Sequence, residues 1–372
     1  MRVLFYEFNK MFFKQKAIIF IVLFICIKLM TLCTTASYSV ETTEQNKGFY
    51  KQYLINLNGK LTAEKETSIK NEQEQIANMH SEKNNVINKY LNGQIDDSEY
   101  VLKLNKINNK MKKSEAFTII EDQYNYIKQD PNNRYFLYTN GWTNLLASES
   151  PDIILIFLLL IVITPIFTYE YEKEMIFLIL TSKKGKWITP AYKIIAASII
   201  TIILTISFSV IEYSYCKVKY GLPLGNFQLQ SIVFFKNSAY HMSLMQTYLY
   251  ISLIKVIGFL VFTYLIIFIA VITKKTVLTL FTSLSIIFIP YFIYFNDSIK
   301  FKLPSPLGFM IGNGYFRGTD NRQLVRGAGS FLQISKEAFI LEFVYMGIMC
   351  FIFIITALCI FSKFRYSRRK KI

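Results

Sequence analysis

Residues able to do chemistry are sparse in this sequence, and their spacing argues against an enzyme. His80 and His241 are the only histidines and lie far apart, so a zinc hydrolase, which gathers several protein ligands round one ion, is nearly excluded. The cysteines Cys26, Cys33, Cys216, Cys350 and Cys359 show no CxxC spacing. Four of them sit within apolar runs, where a free thiol behaves as a small hydrophobe. There is no GxxxxGK[ST] nucleotide loop; the cluster Gly308, Gly312, Gly314 and Gly318 lacks the Lys and reads as flexible turns near Pro304 and Pro306. Glu170, Glu172 and Glu174 alternate along the chain with no cleft implied around them, so they do not read as an acid and base pair. The expectation is a chain with no catalytic residue, no metal and no cofactor of its own. Two groups of charges remain to be explained: a run at 170–193, and Lys28, Asp152, Glu212, Lys255 and Glu342, which fall in or beside apolar stretches.

The elements that carry those charges follow from composition. Of 372 residues, 52% are hydrophobic and 16% aromatic, and the mean hydropathy is +0.31, too apolar for an ordinary soluble domain. The net charge of +17 is uneven: residues 37–151 hold 14 Lys or Arg against 15 Asp or Glu, so the whole excess lies elsewhere, interleaved with apolar runs. That distribution points to membrane topology, whereas nucleic-acid binding needs a basic patch on a soluble face. A hydrocarbon core roughly 30 Å thick needs about 20 apolar helical residues. Six windows meet that length: 17–36, 153–169, 188–211, 248–272, 277–295 and 339–361. Pro165 and Pro290 lie near span ends, where a lost backbone hydrogen bond is tolerated.

Basic residues in the short flanks set the orientation. Lys10, Lys14 and Lys16 before the first span, Lys183, Lys184 and Lys186 after the second, Lys274 and Lys275 after the fourth, and the tail from Lys363 to Lys371 fall on one side of a six-span chain. The positive-inside rule places that side, with both termini, in the cytoplasm of a bacterial cell membrane. A cleaved signal peptide ending near Thr34 to Ser37 is the alternative for the first run, but its 20 or so apolar residues favour an uncleaved anchor. Residues 1–16 place Leu4, Phe5, Phe8 and Phe12 on one face of an amphipathic helix along the inner leaflet.

Residues 37–151 read as a polar extracellular domain. Ile69, Ile76, Met79, Val86 and Tyr90, then Tyr100, Leu104, Ile107 and Met111, form narrow apolar stripes, with a Gly-containing break at 91–98. The pattern predicts two antiparallel helices, 61–91 and 97–129, as a coiled-coil hairpin, either a stalk or a docking arm for a peptide or accessory protein. Tyr124, Tyr126, Tyr135, Phe136, Tyr138 and Trp142 read as an aromatic belt at the outer interface. The fold class expected is all-α: a five-span core at 152–372 preceded by this insert, the first span and the interfacial helix.

The loop at 170–187 carries the most specific signal. Acidic residues Glu170, Glu172 and Glu174 lead into Met175, Phe177 and Leu178, followed by Thr181, Ser182, Lys183, Lys184, Gly185 and Lys186, with Lys193 opening the next span. Such a short amphipathic helix on the cytoplasmic face needs a protein partner to cover its apolar side. This stretch resembles the coupling helix of permease subunits of type-2 ABC exporters from low-GC Gram-positive bacteria, and the run Gln230 to Ser243 leading to a span with Lys255 is similar to the region before their fourth span. The usual Arg after the Gly is Lys186 here, which keeps the charge and loses the bidentate fork.

The resemblance implies a permease that pairs with a second permease chain, as homo- or heterodimer, and docks two copies of an ABC ATPase subunit that bind ATP and Mg. It would export a hydrophobic or amphipathic substrate, with an antimicrobial peptide the preferred class, for secretion or resistance. Within the spans, Lys28 is expected to pair with Glu212 or Glu342 and to line the outer substrate path with Lys255, while Asp152 and Lys255 can also snorkel. The competing expectation is a membrane receptor, scaffold or secretion accessory protein that binds its partner through the external hairpin and needs no ATPase.

Overall fold

The computed structural model describes residues 2–34, 43–148, 150–181, 185–223, 225–295, 306–317 and 336–362. In chain order its α-helices are α1 (Arg2–Asn9), α2 (Ala17–Thr34), α3 (Glu44–Leu57), α4 (Ala63–Leu91), α5 (Asp97–Met111), α6 (Ser114–Lys128), α7 (Asn140–Leu146), α8 (Ile153–Glu172), α9 (Ile176–Thr181), α10 (Ile188–Tyr220), α11 (Leu244–Thr273), α12 (Thr276–Phe295), α13 (Leu307–Ile311), α14 (Gly314–Arg317) and α15 (Lys336–Ser362). A π-helical turn, Lys10–Lys14, joins α1 to α2. Among the described residues there is no strand, only two isolated bridges, Gly59 with Phe136 and Gln228 with Ser243.

The chain divides into two compact units: 1–36, 145–217 and 247–372 form one, and 37–144 with 218–246 the other. The expected boundary at 151/152 therefore shifts, and a second segment, 218–246, belongs with the insert. Among the described residues, five helices are long and apolar enough to cross a bilayer: Ala17–Thr34, Ile153–Glu172, Ile188–Tyr220, Leu244–Thr273 and Ile340–Ser362. Over the expected fifth window, Thr276–Phe292 is apolar but shorter. Burial orders the first unit. Two-thirds of the apolar stretch of α8 is buried, against 11% for α2 and 17% for the α15 segment. Thus α8 is central and α2 and α15 lie at the periphery. In a solvent as apolar as lipid, helices this exposed would be held by van der Waals packing and polar contacts, since burial of apolar surface gains little there.

The second unit is built on helix pairing. Along α4, α5 and α6 run antiparallel to it: Tyr90 stacks on Tyr100 with ring centroids 4.2 Å apart, Gln73 Nε2 donates to Glu121 Oε1 at 2.9 Å, and Tyr124 donates to Glu66 Oε1 at 2.9 Å. The helix expected over 97–129 is interrupted at Lys112 and Lys113. There Ser114 Oγ donates to the Met111 carbonyl at 2.7 Å, giving that acceptor a partner other than the helical N–H. Sequence reading missed α3, whose start is capped by Thr43 Oγ1 accepting from Asn46 N at 3.2 Å.

The proposed aromatic belt is corrected by burial: Tyr124, Phe136, Tyr138 and Trp142 are core residues of this unit, Phe136 fully enclosed. Trp142 Nε1 donates to Pro223 O at 3.1 Å and Tyr126 to Gln230 O at 2.7 Å, so these polar tips meet protein carbonyls. Gly225 is required at this junction, because a Cβ there would come within 2.7 Å of Met245 Cβ and 3.1 Å of the Trp142 ring.

Candidate functional site

In the first unit, the charges singled out from sequence collect into two clusters on α8, one at each end, with the short helix α9 beyond the second.

The first cluster surrounds Lys28, the one Lys, Arg, Asp or Glu on α2. Its Nζ lies 2.6 Å from Glu212 Oε1 on α10 and 2.7 Å from Asp152 Oδ2, and Lys255 Nζ on α11 lies 3.5 Å from Glu212 Oε2. Two cations and two carboxylates thus neutralise one another, the condition for keeping charge in a low-dielectric region. Lys28 also lies 5.9 Å from the centroid of the Phe208 ring. Asp152 does double service, because its Oδ1 accepts from Leu155 N at 3.2 Å and so caps α8. Asp152 is thus both an ion-pair partner and a helix cap. The signal was present in the sequence: an Asp immediately before the apolar run 153–169 is an N-cap residue. Glu342 takes no part in the network; it accepts from Tyr315 Oη at 2.9 Å. Of the two pairings expected for Lys28, the structure contains the one with Glu212.

At the opposite end of α8, Lys10 Nζ and Lys193 Nζ each lie 2.5 Å from Glu170 Oε1. Lys193 Nζ also donates to the Ile166 carbonyl at 2.7 Å, and Gln15 Nε2 donates to the neighbouring carbonyl of Pro165 at 3.1 Å. Polar side chains from two other elements thus gather on carbonyls in the last two turns of α8, while the carbonyl that Pro165 leaves without a helical donor is that of Ile161, one turn earlier. Glu7 of α1 is buried beside this cluster, and burial raises its pKa above the usual carboxylate value against the pull of Lys193 and Lys10. Glu172, one turn-step further, accepts from Thr276 N at 2.6 Å and so caps α12 from another helix. Thr168 and Thr276 share a hydroxyl hydrogen bond at 2.8 Å beside it. Residues 165–172 of α8 thereby bind the segment 10–15, α10 and α12 together.

The residues expected to couple to an ATPase differ in their exposure. Glu170 and Lys193 are 2% and 0% exposed and face the inside of the bundle. Their charges are satisfied by each other and by Lys10, which sequence spacing could not show because the three are separated by up to 183 positions. Glu172 is exposed but engaged as a cap. Glu174 is exposed at the turn after α8, in the left-handed region at φ 56°. Thr181 ends α9, its hydroxyl donating to Leu178 O at 2.9 Å. Gly185 is buried and Lys186 is exposed, while Ser182, Lys183 and Lys184 lie outside the described residues.

Of the Gly-rich stretch expected as flexible turns, Gly308, Gly312 and Gly314 are buried, while Gly318 and Pro304 lie outside the described residues. Residues 307–316 are buried, with α13 ending on Gly312 at φ 81°. Asn313 Nδ2 donates to Leu146 O at 3.1 Å and Ser148 O at 2.7 Å. On α11 the facing residue is Gly258, where a Cβ would stand 2.6 Å from Met310 N. The pairing of Gly258 with a Gly-rich segment is a legible sign of close backbone approach, once the two are known to meet.

Among the described residues no group of three or more His, Cys, Asp or Glu is placed to hold a metal. Comparison with protein-family models, with curated proteins and with solved structures finds no match to this chain.

Proposed function

We propose that the chain is the permease subunit of a type-2 ABC exporter, coupling ATP hydrolysis in a separate ATPase to export of a hydrophobic or amphipathic substrate. On this reading it crosses the membrane six times, with α12 as the fifth crossing. Both termini are cytoplasmic, the helices of 37–151 form an external hairpin, and α9 docks on the ATPase, which holds the ATP and Mg. A second permease chain completes the transporter, and an antimicrobial peptide is the preferred cargo.

One observation carries the reading: the exposed apolar ledge at α9. Met175, Leu178 and Trp187 are 40%, 74% and 55% exposed around a helix of six residues, with Lys186 exposed beside them. A helix so short is not stable by itself in water, so its position depends on what flanks it. Its flank is stiff, because Glu170 is ion-paired to two elements and Glu172 caps a third. An apolar knob on a rigid base suits a groove on another subunit, since displacement of the knob is passed to the spans rather than absorbed by a loose loop.

The test is purification of the tagged chain from its native membrane. An ATP-hydrolysing partner should co-purify, and Leu178→Glu should release it while the elution volume of the permease itself stays unchanged. The reading fails if the wild-type chain brings no ATPase, or if Leu178→Glu retains it fully.

A further inference from the structure

The second unit contains a cavity of about 260 Å³ between α3, α4 and α6 that no part of the transport reading uses. Its floor is apolar: Leu57, Ile69 and Phe117 are 5%, 1% and 2% exposed. One wall is aromatic, with Tyr53 set edge-on to Phe117 at 5.4 Å between centroids and Phe49 beside them. Into this setting α4 projects the half-buried carboxylate of Glu72. Tyr53 Oη donates to Glu72 Oε1 at 2.6 Å, which fixes the carboxylate, and no other partner of Glu72 occurs among the described residues. Burial and this hydrogen bond hold the Tyr53 pKa above its ordinary value, so the phenol remains a donor throughout the physiological range.

The signs decide what fits. An apolar ligand would strand the second carboxylate oxygen without a partner, and an anion would meet Glu72 directly. A cation meets both the carboxylate and aromatic faces, which attract positive charge. The pocket already shows this preference within the chain: Lys113 Nζ lies 5.6 Å from the centroid of the Phe49 ring. Lys113 is itself exposed, so water weakens its pull on an anion more than it weakens that of the half-buried Glu72. We infer that this cavity is a binding site for the side chain of a basic peptide. Its ammonium or guanidinium group sits on Glu72 and the aromatic wall, and its methylene stem lies on Ile69 and Phe117. The exposed amides of Gln52 and Asn56 stand at the rim, where a peptide backbone would pass.

The site does not depend on any ATPase, and its test needs none. The full chain in phosphatidylcholine nanodiscs is titrated with acetyl-lysine amide, acetyl-arginine amide, acetyl-norleucine amide and acetyl-glutamate amide, and binding is read by saturation-transfer NMR. The two basic probes should bind, with stem protons receiving most saturation, and norleucine and glutamate probes should bind about tenfold more weakly or not at all, the loss of one charge-assisted contact. Glu72→Gln keeps the acceptor for Tyr53 and should cost the basic probes about tenfold in affinity. Ser68→Trp at the exposed rim is the second variant: one helical turn before Glu72 on α4, it fills the cavity while the carboxylate itself is retained, and it should abolish binding. Equal binding of norleucine and lysine probes overturns the assignment, as does full affinity in either variant. Preference for the glutamate probe, lost in Lys113→Met, overturns it in favour of an anion site.

Discussion

A single lysine shows how a charge buys position in this chain. Lys28 is buried at 7% exposure on a helix whose apolar residues Val22, Leu23 and Met30 are half exposed or more. Its ammonium is the polar anchor of α2 to α8 and α10, and with Lys10 on the preceding π-turn it ties that segment to α8 at both ends. Removing one member of a buried ion network leaves its partners uncompensated, which costs about 3–5 kcal/mol. Lys28→Met should therefore lower the thermal midpoint of the detergent-solubilised protein markedly, and adding Glu212→Gln should recover part of the loss. Glu342→Gln lies outside the network, so its effect should add to that of Lys28→Met within about 0.5 kcal/mol. Non-additivity of Lys28 with Glu342 in thermal unfolding would sink the assignment of the two to separate sites.

Elements show where sequence reading was strong and where it failed. Long apolar runs announced α2, α8, α10, α11 and α15, since about 20 apolar residues have few uses outside a bilayer. The narrow stripes on α4 and α5 were equally readable: Ile69, Val86 and Ile107 are among the buried residues. Short elements were not readable. α13 has five residues and α14 four, too few for a periodic pattern, and their Gly content suggested loose turns. What orders them is contact with α11 at Gly258 and the amide of Asn313 on two carbonyls, interactions made across tens to more than a hundred residues of sequence. Gly258→Ala would place a methyl against backbone rather than against a flexible side chain, and overpacking of that kind costs about 1–3 kcal/mol. Gly347→Ala, with nothing within 4 Å of its Cβ, should be neutral or slightly stabilising. Thermal unfolding of the two variants side by side checks this; equal midpoints would refute the close approach of α11 and α13.

At the scale of the whole molecule, charge asymmetry and apolar length together make a topology prediction. Cysteine placed at Lys186 should react with a membrane-impermeant maleimide only after the cells are opened, and cysteine at Asn71 on the exposed face of α4 should react in intact cells. Labelling of both positions from the same side would overturn the orientation. Sequence by itself determined the class of protein: an all-helical chain with several apolar helices and a polar insert. These are properties of composition and local period, and each residue contributes to them without knowing its distant neighbours. Tertiary structure alone decided which charges meet. It buried Glu170 and Lys193 against Lys10, and it placed Asp152 in the Lys28 network. It joined 218–246 to the insert, and it closed a cavity round Glu72 from three helices. The physical reason is common to all four: Coulomb and hydrogen-bond energies depend on separations of a few ångströms, and a sequence records order along the chain but not those separations.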